Sequence, residues 1–203
     1  MDLKQEERIY IEKESIVFKK TNEKFGALSN KASGYPIVVN NVFIKSSEAL
    51  YQAMRFPDYH DIQKEIIEQN SPMTAKMISK KYRNKTREDW DNIRVHIMKW
   101  TLRVKLLQNK NTFGKILLNT GDMNIVEESN KDQFWGAKRL NNEFHGMNVL
   151  GRLLMELREQ YKNYLFQEVN PLEIGNFLLY NEPILKLNEE DKSNYQYREG
   201  IFQ

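Results

Sequence analysis

The sequence predicts a mainly α fold, α+β only through a small β element near its N-terminus, built as one multihelical domain. Three observations carry this expectation. Trp90, Ile93, Ile97, Trp100, Val104 and Leu107 follow the three–four spacing of one helix face, and Val95, Met98, Leu102 and Leu106 widen it. Met147, Leu150, Leu154, Leu157, Tyr161 and Tyr164 repeat that spacing near the far end. Strand-like apolar runs are confined to the region before residue 45. At 203 residues the chain is long enough to bury a substantial core without covalent staples.

Residues 1–15 are dense in charge and poor in large apolar residues, which predicts a frayed or surface-lying arm. Ile16-Val17-Phe18 is a short strand. Tyr35–Val39 and Val42–Ile44 flank Asn40-Asn41, and asparagine tolerates the positive φ of a two-residue turn, so this is a hairpin. Ser46 caps a helix running to about Phe56, which Pro57-Asp58 ends. A second short helix spans Asp61 to about Gln69. Ser71-Pro72 puts a cap and then proline at a third helix start. Thr86-Arg-Glu-Asp89 has capping-box spacing and opens the longest helix. Phe113–Leu118 is another short helix, and Ser129-Asn-Lys-Asp132 is again cap-like. Ala137–His145 is polar and turn-rich, hence a loop. The main body is placed at 16–166 and a C-terminal appendage at 167–203, with apolar islands at Phe177–Tyr180 and Pro183–Leu185.

With no cysteine, disulfides, thiolate metal sites and cysteine nucleophiles are excluded. His60, His96 and His145 share no metal-ligand spacing, so neither a bound metal nor a cofactor is expected. The net charge of +3 suits contact with a phosphate-bearing ligand but is no nucleic-acid footprint by itself. No apolar run reaches the roughly 18 residues of a membrane span, and MDLKQEERIY has no signal-peptide core; the expectation is a soluble, cytoplasmic chain. There is no G-x-G-x-x-G, Walker loop or G-x-S-x-G elbow to support dehydrogenase, NTPase or serine-hydrolase chemistry.

Four stretches can line one cleft: Phe25–Asn30, Ser46–Arg55, Ser71–Lys76 and Lys131–Gly136. Glu48, in a first helical turn, either complements the helix dipole or acts as a general base or transition-state stabiliser. Asp132 either caps a turn or acts on a ligand held by Phe134 and Trp135, with Gly136 allowing close approach. Lys76 is either a solvated cation or an amine nucleophile. Arg55, Arg83, Arg87 and Arg94 are available as bidentate donors to a diphosphate. Ser29 and Asn30 either hold ribose hydroxyls or make an Asx-type turn. The pattern leaves each pair of readings open.

Taken in order, seven segments resemble a known family. They are F-G-A-L-S-N (25–30), S-E-A-L-Y-Q-A-M-R-F (47–56), S-P-M-T-A-K (71–76), R-E-D-W-D-N-I-R-V (87–95), M-K-W-T-L-R-V-K (98–105), D-Q-F-W-G-A (132–137) and M-N-V-L-G-R-L-L-M-E-L-R (147–158). Together they resemble the NADAR superfamily, which includes YbiA-type proteins, over roughly residues 16–162. The resemblance implies a YbiA-like multihelical fold and a metal-free N-glycosidase. Ser-Pro-Met-x-Ala-Lys and Asp-x-Phe-Trp-Gly-Ala look closer to the DarG-type antitoxin branch, which removes ADP-ribose from guanine in DNA and partners a DarT-type toxin. The implied substrate is ADP-ribosylated guanine and the product ADP-ribose. Alternatives are a glycosidase of riboflavin-pathway intermediates and a binding module for ADP-ribose or NAD that turns nothing over.

By the same resemblance Glu48, Lys76 and Asp132 are the catalytic set. Gly26, Ser29, Asn30, Tyr51, Arg55, Arg87, Trp90, Phe134, Trp135, Gly136 and Asn148 bind substrate. Lys31 departs from the branch's usual apolar residue. The loop Lys138–His145 lacks the glycine-rich form of YbiA-type members.

Overall fold

The computed structural model describes residues 6–163, 168–171 and 174–199. In chain order β1 (Arg8–Ile11) and β2 (Ser15–Phe18) precede the hairpin β3 (Ile37–Val39) and β4 (Val42–Ile44). Helices α1 (Ser47–Ala53), α2 (His60–Ile67), α3 (Pro72–Lys81) and α4 (Trp90–Gln108) follow, then a π turn at Lys110–Gly114 and α5 (Lys115–Leu118). Next come β5 (Asn124–Glu127), β6 (Lys138–Leu140), β7 (Glu143–Gly146) and α6 (Val149–Lys162). The tail holds β8 (Glu168–Val169), β9 (Leu178–Leu179), β10 (Glu182–Pro183), β11 (Leu187–Asn188) and α7 (Asp191–Arg198).

This is an α+β fold, not a mainly α one: 44% is helix and 19% is strand, spread over several small sheets. The strands escaped the periodicity because each has only two to four residues, too few for alternation to stand out. The described residues gather into two compact units, one from residues up to 29 and from 111 to 163, the other from 30 to 110 and from 168 onward.

In the first unit β1, β7 and β6 form an antiparallel sheet, and β2 pairs in parallel with β5. The charged arm is therefore strand from Arg8 onward, because Tyr10 is buried against Val126, Ala137 and Phe144. The expected loop at 137–145 is the hairpin β6–β7, turning at Asn141-Asn142 with Asn141 at φ 55°. Its polarity belongs to exposed Lys138 and Arg139, while Phe144 faces the core. Arg139 braces the sheet through Glu12 at 2.5 Å and Glu128 at 3.2 Å. Helix α6 lies so close to β5 that a Cβ on Gly151 would overlap the carbonyl of Ile125. Asn148, left-handed at φ 47°, binds β5 on both sides: its Nδ2 donates to the Ile125 carbonyl and its Oδ1 accepts from Glu127 N–H.

In the second unit Asn40 (φ 47°) and Asn41 (φ 64°) make the two-residue turn of β3–β4. The Gln108 side chain, near the end of α4, donates to the Val38 carbonyl and accepts from its N–H. Ser46 caps α1, its Oγ accepting from Ala49 N–H. Helices α1, α2 and α3 pack on one another, and α1 also packs on α4, whose Trp90, Ile97, Trp100, Val104 and Leu107 are buried. The expected capping box does not form: Asp89 makes no cap bond because its carboxylate is taken by Arg87. The tail docks on this unit. Buried Gln63 donates to the Leu178 carbonyl and accepts from Tyr180 N–H, and Phe177 sits edge-on to Trp100 at 4.7 Å. Tyr164, residues 1–5 and the expected boundary at 166/167 lie outside the described residues. Among the described residues no helix is long and apolar enough to cross a membrane.

Candidate active site

Glu48 stands in the first turn of α1 yet is only 3% exposed. A buried carboxylate needs compensation, and here it comes from amides. Asn30 Nδ2 donates to Oε2 at 2.8 Å and Gln52 Nε2 to Oε1 at 2.9 Å. Gln52 is in turn oriented by Ser79 of α3, whose hydroxyl donates to its Oε1 at 2.7 Å. Among the described residues no cation pairs with Glu48. Its negative charge is held in place without being neutralised by a neighbouring cation. Beside it the Asn30 Oδ1 is buried and accepts no hydrogen bond, a cost of about 1–3 kcal/mol unless a donor arrives.

The Gln52–Ser79 bond also sets the register of α1 against α3. The offset is 27 positions at that bond, and Arg55 and Arg83, near enough for one charge to depress the other's pKa, stand 28 apart. The same offset puts Glu48 level with Ala75 and Lys76. Ala75 is buried and Lys76 half-buried, with no acidic partner among the described residues. The two candidate groups come from α1 and α3, which pack on each other.

At the C-terminal end of α1 the guanidinium of Arg55 lies 4.0 Å over the Trp90 ring, and Tyr51 meets Trp90 at 5.2 Å with a 52° tilt. Burial lowers the pKa of Arg55, and Arg83 and Arg94 lower it further, against opposing contributions from Tyr51 and Asp91. Arg87 is committed elsewhere. It donates to both oxygens of Asp89 (2.6 and 3.0 Å), to the Gly175 carbonyl (2.6 Å) and to the Asn176 carbonyl (2.9 Å), tying the start of α4 to the tail.

The remaining predicted residues belong to the first unit. Asp132 is exposed and caps a turn: Ser129 Oγ accepts from its N–H, and its Oδ1 accepts from Trp135 N–H, both at 3.0 Å. The Phe134 and Trp135 carbonyls accept from Val149 and Leu150 N–H, so this turn satisfies the N-terminus of α6. Their rings meet edge-to-face at 5.0 Å, and Phe134 lines a hollow of about 290 Å³ with Glu7, Gln133, Gly146 and Met147. Gly26 and Gly136 are buried where a Cβ would overlap the carbonyls of Thr21 and Glu127. Ser29 is buried, and Asn148 is the staple described above.

Sequence reasoning missed Gln52 and Ser79. Gln52 had a signal in its i,i+4 spacing from Glu48; Ser79 had none, because only the packing of α3 on α1 brings it there. Among the described residues no group of three His, Cys, Asp or Glu could hold a metal ion.

The NADAR domain profile matches residues 17–162. The chain is 34% identical to N-glycosidase YbiA of Escherichia coli (strain K12) over 145 residues, 71% of this chain and 87% of that protein. It is 31% identical to a protein named N-glycosidase in Nostoc punctiforme, covering 74% of this chain and 95% of the relative. A relative in Vibrio vulnificus named as a riboflavin biosynthesis protein is 35% identical over 183 residues, 85% of this chain; the chain spans about half (48%) of its length. The NMR structure of the E. coli protein YbiA superposes with a TM-score of 0.64 at 32% identity, covering 74% of this chain and 86% of that one.

Proposed function

Because this chain belongs to the NADAR domain family, we propose that it is an N-glycosidase, a hydrolase of bonds between a ribosyl carbon and a nitrogen. The observation that carries the reading is the buried Glu48 carboxylate, held by two amides and paired with no cation among the described residues. Breaking a ribosyl–nitrogen bond develops positive charge at C1, and a fixed, desolvated negative charge beside that carbon lowers the barrier. A carboxylate already neutralised by lysine or arginine would be far less effective. The unsatisfied Asn30 Oδ1 next to it suits a ribose hydroxyl as donor. Lys76 supplies an amine level with Glu48. Its attack forms an N–C1 bond as the C1–base bond breaks and the base leaves with a proton; the resulting ribosylamine opens at C1–O4′, its N–H proton passing to O4′, to give an imine, and water adds to C1 and releases the lysine and the free sugar.

Within that activity the favoured substrate is ADP-ribosylated guanine in DNA, the modification made by a DarT-type toxin. Support comes from Ser71-Pro-Met-Thr-Ala-Lys76 and Asp132-Gln-Phe-Trp-Gly-Ala137, which resemble the DarG-type branch. A riboflavin-pathway intermediate is the second reading, supported by the name of the Vibrio relative, of which this chain spans about half. One turnover assay decides between them: an oligonucleotide carrying ADP-ribosyl guanine against the riboflavin intermediates, with calorimetry on ADP-ribose alongside. ADP-ribose release is expected from the oligonucleotide, and Glu48→Gln and Lys76→Ala should each abolish it in folded protein. Borohydride should trap an adduct on Lys76. Full activity in both variants removes this reading, and binding without hydrolysis of any substrate leaves a binding module.

A further inference from the structure

We propose that Arg55 and Arg83 form an oxyanion subsite that holds the 5′-diphosphate of the ribosyl substrate, about two helical turns from Glu48 and Lys76. The proposal rests on the reading that Glu48 and Lys76 mark the position of the ribosyl carbon. Neighbouring cations are matched to acids: Lys81 with Glu65 at 3.8 Å, Arg87 with Asp89 at 2.6 Å and Arg94 with Asp91 at 3.7 Å. Among the described residues Arg55, Arg83 and Lys80 have no carboxylate within ion-pairing distance, although Asp91 lies near enough to favour the charged Arg55. Arg55 is the most telling, because its Nε is buried with no acceptor while its face is stacked on Trp90. A guanidinium over an indole keeps its N–H groups for in-plane acceptors, and paired N–H groups of this kind grip a phosphate.

Like charges held close together cost free energy unless an anion joins them. Arg55 and Arg83 follow different helices, each just beyond the helix end, and the Arg83 charge is close enough to disfavour the charged form of Arg55. The spacing is matched on both sides. Glu48 to Arg55 and Lys76 to Arg83 are each seven residues, starting inside α1 and α3 and ending just past their last turns. Acid and amine stand at one end and two guanidinium forks at the other, with Tyr51 and Trp90 beside Arg55. That layout fits a ribose whose C1 lies between Glu48 and Lys76 and whose 5′ chain carries two phosphates.

The test is calorimetric titration of the full chain at low salt with ADP, AMP and adenosine. Affinity should rise in the order adenosine, AMP, ADP. Arg55→Ala and Arg83→Ala should each weaken ADP binding about 10-fold or more and leave adenosine unchanged. Arg83 is exposed, so Arg83→Ala keeps the fold even if Arg55→Ala does not, and Arg83→Lys should recover part of the loss. ADP that binds no better than adenosine, or equally well to the Arg83→Ala protein, overturns the proposal. Neither outcome needs turnover. Arginine-dependent ADP binding in a chain that hydrolyses no ribosylated base keeps the subsite and removes the glycosidase.

Discussion

Lys105 is fully buried in α4, and burial holds its pKa down at about 7 against an ordinary 10.5. Replacing it by methionine, which matches its length and is unbranched, removes the ionisable group while filling the same space. The shift of about 3.5 units, at 1.36 kcal/mol per unit, sets an upper bound near ~5 kcal/mol on the cost of carrying the buried charge. The Tyr35 ring 4.8 Å from Nζ offsets roughly 0.5–2 kcal/mol of it.

The sign follows from proton binding. Between pH 7 and 10.5 the unfolded chain keeps this proton and the folded one has released it, so wild-type stability gains up to ~1.4 kcal/mol per pH unit from this group. Below pH 7 both states hold the proton and the full cost is present. The stability of Lys105→Met relative to wild type should therefore be greatest at pH 6 to 7 and fall by up to ~1.4 kcal/mol per pH unit as pH approaches 10. Urea unfolding of both proteins at each pH measures the difference, in which all other titrating groups cancel. A gap that stays flat with pH, or widens as pH rises, refutes the assignment of a depressed pKa to Lys105.

Two further outcomes test the geometry. Ser79→Ala leaves Gln52 Oε1 without its donor and frees the amide to turn its oxygen on Glu48; with about 1–2 kcal/mol lost, kcat should fall roughly 5- to 30-fold with KM little changed, and an unaltered kcat in the turnover assay rejects Ser79 as a positioning residue. Gly151→Ala would ordinarily stabilise a helix by ~1 kcal/mol, but here the added Cβ overlaps the Ile125 carbonyl and crowds the Asn148 amide, so a net loss of at least ~2 kcal/mol in thermal unfolding is expected, and a gain shows that α6 does not press on β5 this closely.

The helices were legible because their signals are local. The α4 face from Trp90 to Leu107, the Ser46 cap and the Asn40-Asn41 turn each rest on residues a few positions apart, and each is found where the spacing put it. The sheets were less legible. Partners such as β1 and β7 lie more than 130 residues apart, and no short window holds both. Lys138–Leu140 became a strand because Glu143–Gly146 pairs with it, while its own residues are all exposed.

Residue chemistry, by itself, offered Glu48, Lys76 and Asp132 as candidate groups and left a bland reading open beside each; the link to a ribosyl bond came from the family resemblance. It could not separate capping from catalysis, since a carboxylate in a first turn satisfies either. Packing supplied the partners that spacing did not show: α3 laid on α1 brings Ser79 to Gln52, and Gln52 reaches the Glu48 carboxylate. It also committed Arg87 to Asp89 and the tail, and left Arg55 on Trp90 with no ion pair among the described residues. Partners distant along the chain decide whether a charge is neutralised, buried or open to a ligand, and only the folded arrangement of the helices supplies them.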